Sequence, residues 1–209
     1  MKAMILAAGR GERMRPLTDS LPKPLLEVKG KALIVYHIEK LARNGFKTIV
    51  INLAHLAHKI PEALGDGSKW GVELIYSDES ADGALESAGG IIKALPHLGE
   101  QFLVVNGDVW SEYEFDSSYE LKDSLAHLVL VPNPDHNKKG DFEYIDSLYT
   151  FSGIGYYSAK LFDGLSASKL ALAPILRKNI KFNKISFELY EGEWRDIGTP
   201  KRLAEVNES

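Results

Sequence analysis

The sequence predicts an α/β fold, with helices on both faces of a mixed, mainly parallel central sheet. Three observations carry that expectation. Short apolar runs alternate with helix-periodic segments in the first half, glycines follow several of those runs, and the rhythm changes to more closely spaced strands beyond Asp108.

Ala3 to Ala7 is a short apolar run stopped by Gly9, the pattern of a strand buried on both faces. Leu33, Ile34, His37, Ile38 and Leu41 recur at helical spacing, and Asn44-Gly45 supplies the stop. Thr48 to Asn52 is β-branched and reads as the second strand. A helix around His55 to Leu64 follows, then a strand at Val72 to Tyr76. Glu86 to Leu95 reads as a glycine-containing helix ended by Pro96, and Phe102 to Val105 as another buried strand. In the second half, Ala126 to Val131, Thr150 to Tyr157, Phe187 to Tyr190 and Trp194 to Ile197 read as strands. Leu170 to Lys178 and Pro200 to Val206 read as helices, the latter capped by Thr199 ahead of Pro200. The whole is expected to be one Rossmann-like three-layer α/β/α sandwich spanning 1–209, its second half widening the sheet to build a substrate face.

Composition narrows the function. The chain has 209 residues, 44% of them hydrophobic and 26% charged, as in ordinary globular domains. It has no cysteine, so a disulfide framework, a thiolate metal site and a cysteine nucleophile are excluded. A net charge of −4 lacks the basic footprint of a nucleic-acid or anionic-membrane binder. No stretch has the length of a membrane span or the form of a secretory signal. A cytoplasmic protein with no obligate protein partner is expected.

The densest chemistry lies in Leu6-Ala7-Ala8-Gly9-Arg10-Gly11-Glu12-Arg13-Met14-Arg15-Pro16-Leu17-Thr18, followed by Pro22-Lys23-Pro24. Small residues after a buried strand let backbone amides approach an anion closely. A dinucleotide fingerprint would need glycine where Met14 stands, and the Gly-Lys-Ser/Thr of a Walker loop is absent. Four cations in so short a stretch of an acidic chain suit a triphosphate. Taken singly, Arg10 and Arg15 read as solvated charges. Arg13 and Lys23, the latter restrained by two prolines, read as phosphate ligands.

Those residues resemble the signature of the sugar-phosphate nucleotidyltransferases: Leu-Ala-Ala-Gly-x-Gly-x-Arg-Met, then Pro-Leu-Thr and Pro-Lys-Pro. The resemblance implies a nucleotide-binding set of Ala8, Gly9, Gly11, Glu12, Arg13, Lys23 and Gly89. In it, Arg13 and Lys23 act on the reacting phosphates, and residues 1–110 and 111–209 form the nucleotide and sugar halves.

Asp108 follows the strand at Phe102 to Val105, where open α/β sheets bind ligands, and Asp196 ends a late strand. Each alone reads equally as a turn aspartate. The resemblance assigns a metal-binding aspartate to both motifs, so Asp108 and Asp196 are the expected Mg2+ pair and Asp108 joins Arg13 and Lys23 as catalytic. It also implies Asn106, Asp141 and Gly153 as sugar-binding residues. Stretches such as Leu64-Gly65-Asp66-Gly67-Ser68 and Leu85-Glu86-Ser87-Ala88-Gly89-Gly90 resemble the branch that uses UTP and a cell-wall sugar, N-acetylmuramic acid 1-phosphate. Ala88, where that branch often has glycine, leans toward the mannose-1-phosphate guanylyltransferases, which remain the alternative. A regulatory, non-catalytic subunit of the same fold is the rival of another class. Lys138, Lys139, His136 and Arg195 are the cations nearest the sugar motifs.

Overall fold

The computed structural model describes residues 1–81 and 83–208; Asp82 and Ser209, both inside the expected domain, lie outside the described residues. The chain opens on β1 (Lys2–Leu6), followed by the two-residue strands β2 (Glu27–Val28) and β3 (Lys31–Ala32). Alternation then sets in with α1 (Leu33–Arg43), β4 (Thr48–Leu53), α2 (Lys59–Leu64), β5 (Glu73–Asp78), α3 (Glu86–Leu98) and β6 (Gln101–Asn106). The second half contains β7 (Val109–Ser111), β8 (Ala126–Val131), β9 (Phe142–Tyr144), β10 (Ser147–Ser158), α4 (Leu172–Ile180), β11 (Ile185–Leu189), β12 (Trp194–Asp196) and α5 (Pro200–Glu208).

The main sheet has the order β11-β8-β10-β6-β1-β4-β5, with β9 added to β10. β1 runs parallel to β4 and β6, and β4 runs parallel to β5. β10 runs antiparallel to β6, β8 and β9, which makes the sheet mixed. Successive side chains of a strand point to opposite faces, and both faces here are covered. Ala3, Ile5, Ile49, Ile51, Leu103 and Val105 pack with Ile34, Ile38 and Leu41 of α1 and Ile60 and Leu64 of α2. Met4, Val50, Phe102 and Val104 pack on the other face with Ala88, Ile91, Ala94 and Leu98 of α3 and Leu172 and Leu176 of α4. Each fully buried side chain of this size contributes about 1.5–3 kcal/mol, and the two cores together fix the three layers. The expected α/β/α sandwich is therefore the observed one.

Two local expectations are corrected, and four short strands were not read at all. α3 does not stop at Pro96 but runs through it to Leu98. Pro96 stands in the last turn, where its missing N–H removes one bond, while Leu98 is buried and Lys2 Nζ donates to the His97 carbonyl at 2.7 Å. The helix expected from His55 begins only at Lys59, because Leu56 adopts φ 51° in a turn. β2, β3, β7 and β9, at two or three residues each, are too short to show a period in sequence.

Candidate active site

A cleft of about 580 Å³ opens at the C-terminal ends of β1, β4 and β6, bordered by Leu6, Asn52 and Asn106. From β1 the chain moves out one way to β4 and β5, then crosses to β6 on the other side. The cleft thus lies at the switch point of the sheet, where neighbouring loops diverge and leave a crevice.

The first wall is the loop after β1. Ala7 N donates to Asn52 Oδ1 at 2.7 Å, which ties the start of the loop to the end of β4. Gly11 takes φ 68°, and the turn closes as Met14 N donates to the Gly11 carbonyl at 2.8 Å. Met14, fully buried, anchors the turn, which explains an apolar residue inside a phosphate loop. Ala8, Gly9, Gly11, Glu12, Arg13 and Lys23 all line the cleft, as expected of the nucleotide set. The other arginines are engaged elsewhere: Arg10 pairs with Glu12 at 2.6 Å and Arg15 with Asp19 at 2.7 Å, both on the surface.

The opposite wall carries the acidic chemistry. Lys23 is buried, and its Nζ lies 2.6 Å from Asp108 Oδ2. Gly107 N donates to the Leu6 carbonyl at 2.9 Å, and a Cβ at residue 107 would meet that carbonyl oxygen at 2.8 Å. Only glycine lets β6 deliver Asp108 so close to the phosphate loop. β12 pairs antiparallel with β7, placing Asp196 opposite Val109, and Ile197 N donates to the Asp108 carbonyl at 2.8 Å. Asp196, at the end of β12, is thereby brought beside the turn that carries Asp108.

Asp196 Oδ2 accepts from Arg202 Nη1 at 2.9 Å and lies 3.3 Å from His136 Nε2. Its Oδ1 is buried without a hydrogen-bond partner. A buried carboxylate oxygen without a donor is a ready ligand for a hard cation. No cluster of three or more His, Asp or Glu side chains able to hold a metal occurs among the described residues. Two carboxylates completed by substrate phosphates and water are what Mg2+ ordinarily takes, so the donor set fits a divalent ion.

A second cavity of about 220 Å³ adjoins the first through Ser87 and Asn106, which line both. Asp141 lines it, with Oδ2 accepting from Phe151 N at 2.9 Å and from Asn137 Nδ2 at 3.2 Å. Gly153 does not line either cavity. Its φ is 80°, and a Cβ there would lie 2.6 Å from Asn106 Nδ2, so it makes room for the Asn106 side chain. Gly89 does not line the cleft either. A Cβ at Gly89 would lie 2.0 Å from the Ser168 carbonyl oxygen, and Gly89 N donates to the Leu170 carbonyl at 3.1 Å. Gly89 serves the packing of the 168–170 segment on α3, not the approach of a base. Ala88 is fully buried in the same helix and faces the core.

Sequence reasoning gave no role to four residues that the fold places at these cavities. Glu79 is fully buried; its Oε1 accepts from Asn52 Nδ2 at 2.7 Å and its Oε2 from Leu85 N at 2.9 Å. Asn52 and Glu79 therefore lock the phosphate loop to the segment entering α3. Lys169 adds a third cation to the first cleft, and Arg177 lines the second cavity. As isolated polar residues outside the recognised motifs, none of the four carries a signal in sequence that sets it apart from a surface residue. Lys138 and Lys139 are exposed and line neither cavity, and Arg195 pairs with Glu193 at 3.3 Å.

An open sheet whose switch-point cleft holds a glycine turn, Arg13, Lys23, Lys169 and Asp108, with Asp196 on the neighbouring strand though outside the cleft lining, is the arrangement of a nucleotide-dependent transferase. The chain belongs to the nucleotidyl transferase family, whose model matches residues 2–147. It is 52% identical to the N-acetylmuramate alpha-1-phosphate uridylyltransferase of Neisseria meningitidis, over 99% of this chain and 96% of that protein. The enzyme of the same description from Caulobacter vibrioides is 30% identical over 98% of this chain and 97% of its own length. In fold, the chain matches the structure of a CTP:phosphocholine cytidylyltransferase from Streptococcus pneumoniae with a TM-score of 0.77 and 25% identity, over 99% of this chain and 97% of that one. Enzymes of the family typically use a divalent metal. No helix among the described residues is long and apolar enough to cross a membrane.

Proposed function

We propose that the chain transfers a uridylyl group from UTP to N-acetylmuramic acid 1-phosphate, giving UDP-N-acetylmuramic acid and pyrophosphate, with Mg2+ held by Asp108 and Asp196. The observation that carries the substrate pair is the end-to-end likeness to the Neisseria uridylyltransferase. The arrangement of Arg13, Lys23 and Asp108 around one cleft supports the reaction type.

An oxygen of the sugar phosphate attacks the α phosphorus, and the bond from that phosphorus to the β-phosphate oxygen breaks. No general base is needed, because a phosphate monoester with a second pKa of about 6 is largely dianionic near neutral pH. The obstacle is bringing one anion up to another. Arg13 and Lys23 lower it by placing fixed positive charge beside the triphosphate, and the loop amides at Gly9 and Gly11 hold its oxygens. A bound Mg2+ would polarise phosphoryl oxygens and offset the charge on the leaving pyrophosphate. Residues 1–110 form the nucleotide half of this reading and residues 111–209 the sugar half; Asn106, near the end of the first and lining both cavities, and Asp141 of the second orient the hexose.

The test is pyrophosphate release from each of the four ribonucleoside triphosphates paired with N-acetylmuramic, N-acetylglucosamine, glucose and mannose 1-phosphates. Highest kcat/KM is expected for UTP with the muramic compound. Greater efficiency with GTP and mannose 1-phosphate would replace this reading.

A further inference from the structure

The proposed sugar differs from N-acetylglucosamine by a lactyl ether, which adds one methyl group and one carboxylate. A site selective for it therefore needs an apolar wall and a cation, close to where the hexose sits. The 220 Å³ cavity has both. Phe142, Phe151, Leu172 and Leu176 supply the apolar wall, and Arg177 is the cation among its lining residues. By comparison, a liquid water occupies about 30 Å³, so the space accommodates a three-carbon acid.

Arg177 lies in the last turn of α4, with its guanidinium carbon 5.7 Å from the centre of the Phe142 ring. No carboxylate pairs with it among the described residues. Stacking on an aromatic face orients the planar fork while leaving its N–H groups free for a planar anion. The other charged group lining this cavity, Asp141, would repel a carboxylate. Its Oδ2 accepts from the Phe151 amide and the Asn137 side chain, which offsets part of that repulsion. The cations that lie nearest the sugar motifs in sequence do not reach this cavity, whereas Arg177 arrives from α4.

We propose that Arg177 is the specificity-determining residue that binds the carboxylate of the lactyl group, with the Phe142 and Leu176 side of the cavity receiving its methyl. The inference rests on the substrate reading above. Because the carboxylate is remote from the reacting phosphorus, its contact acts in the ground state and the transition state alike, and loss of it raises KM more than it lowers kcat.

The experiment measures kcat and KM with UTP for N-acetylmuramic and N-acetylglucosamine 1-phosphates in the wild type, R177Q and R177K. The ratio of kcat/KM for the two sugars is expected to favour the muramic compound in the wild type. In R177Q that ratio should fall about tenfold, the size of one charge-assisted hydrogen bond at a partly open site, through KM. R177K should retain part of the preference. An unchanged ratio in R177Q overturns the role of Arg177 and leaves the substrate reading standing. A fall in R177Q that is equal for both sugars also overturns it, since a structural role would produce that result. A wild type that uses both sugars equally overturns the substrate reading and the inference with it.

Discussion

Lys23 Nζ and Asp108 Oδ2 lie 2.6 Å apart, although 85 positions separate them in the chain. The pair closes the floor of the cleft between the phosphate loop and the end of β6. In the proposed reaction both groups exchange this bond for a new partner, Lys23 for a phosphate and Asp108 for a cation.

Removing Lys23 is therefore expected to act on the chemical step. Lys23→Ala should lower kcat about tenfold to hundredfold, the loss of a charge-assisted contact of roughly 1.5–3 kcal/mol, with a smaller rise in the KM for UTP. Steady-state pyrophosphate release provides both constants. A change confined to KM would mean that Lys23 binds the ground state only.

Asp108→Asn and Asp196→Asn preserve shape and remove charge. Each is expected to reduce turnover by about a hundredfold or more and to raise the Mg2+ concentration needed for half-maximal rate. Arg202→Ala frees Asp196 Oδ2 from its strongest partner, and loss of such an orienting contact typically costs about 10–100-fold in metal affinity. Titrating activity with Mg2+ in the three variants checks both statements. Wild-type turnover in Asp108→Asn would remove the metal assignment.

The buried Glu79 bridge should be needed for stability as well as for loop placement. Glu79→Ala leaves Asn52 Nδ2 and Leu85 N without acceptors, at a cost of about 1–3 kcal/mol for each unsatisfied group. A Cβ at Gly90 would approach Glu79 Oε1 to 2.5 Å, so Gly90→Ala should strain the same bridge. Chemical denaturation would show a reduced midpoint with unchanged slope for both variants.

His37 is buried, its Nε2 has no hydrogen-bond partner, and burial beside the Lys40 charge lowers its pKa from 6.5 to about 4. The unfolded chain takes up a proton near pH 6.5, whereas the folded chain does not until about pH 4. His37 thus contributes stability that is full above pH 6.5 and is lost as the pH falls toward 4, by at most about 1.4 kcal/mol per pH unit. In His37→Leu the decline of unfolding free energy between pH 7 and pH 4.5 should be shallower than in the wild type. Identical slopes would show that other groups set the acid sensitivity.

The sequence by itself determined the layers and the glycine-rich loop after β1. Period and glycine placement are local properties, so β1, β4, β6, β8, α1 and α5 could be read from neighbouring residues. The motif from Ala8 to Lys23 is likewise local, and the members that the resemblance assigns to the nucleotide line the cleft. Only the tertiary structure decided what β-register and crossovers bring together. Asp196 comes beside Asp108 because β12, legible as a strand, pairs with β7, a three-residue strand with no period of its own. Gly89, which the resemblance places in the nucleotide-binding set, instead accommodates Ser168, a contact made across 79 positions of the chain. Asn52, Glu79, Lys169 and Arg177 gave no signal because a lone polar residue in sequence does not reveal whether it faces solvent or a cleft. That distinction arises when the sheet twists and its loops diverge at the switch point, which is a property of the assembled fold and not of any one segment.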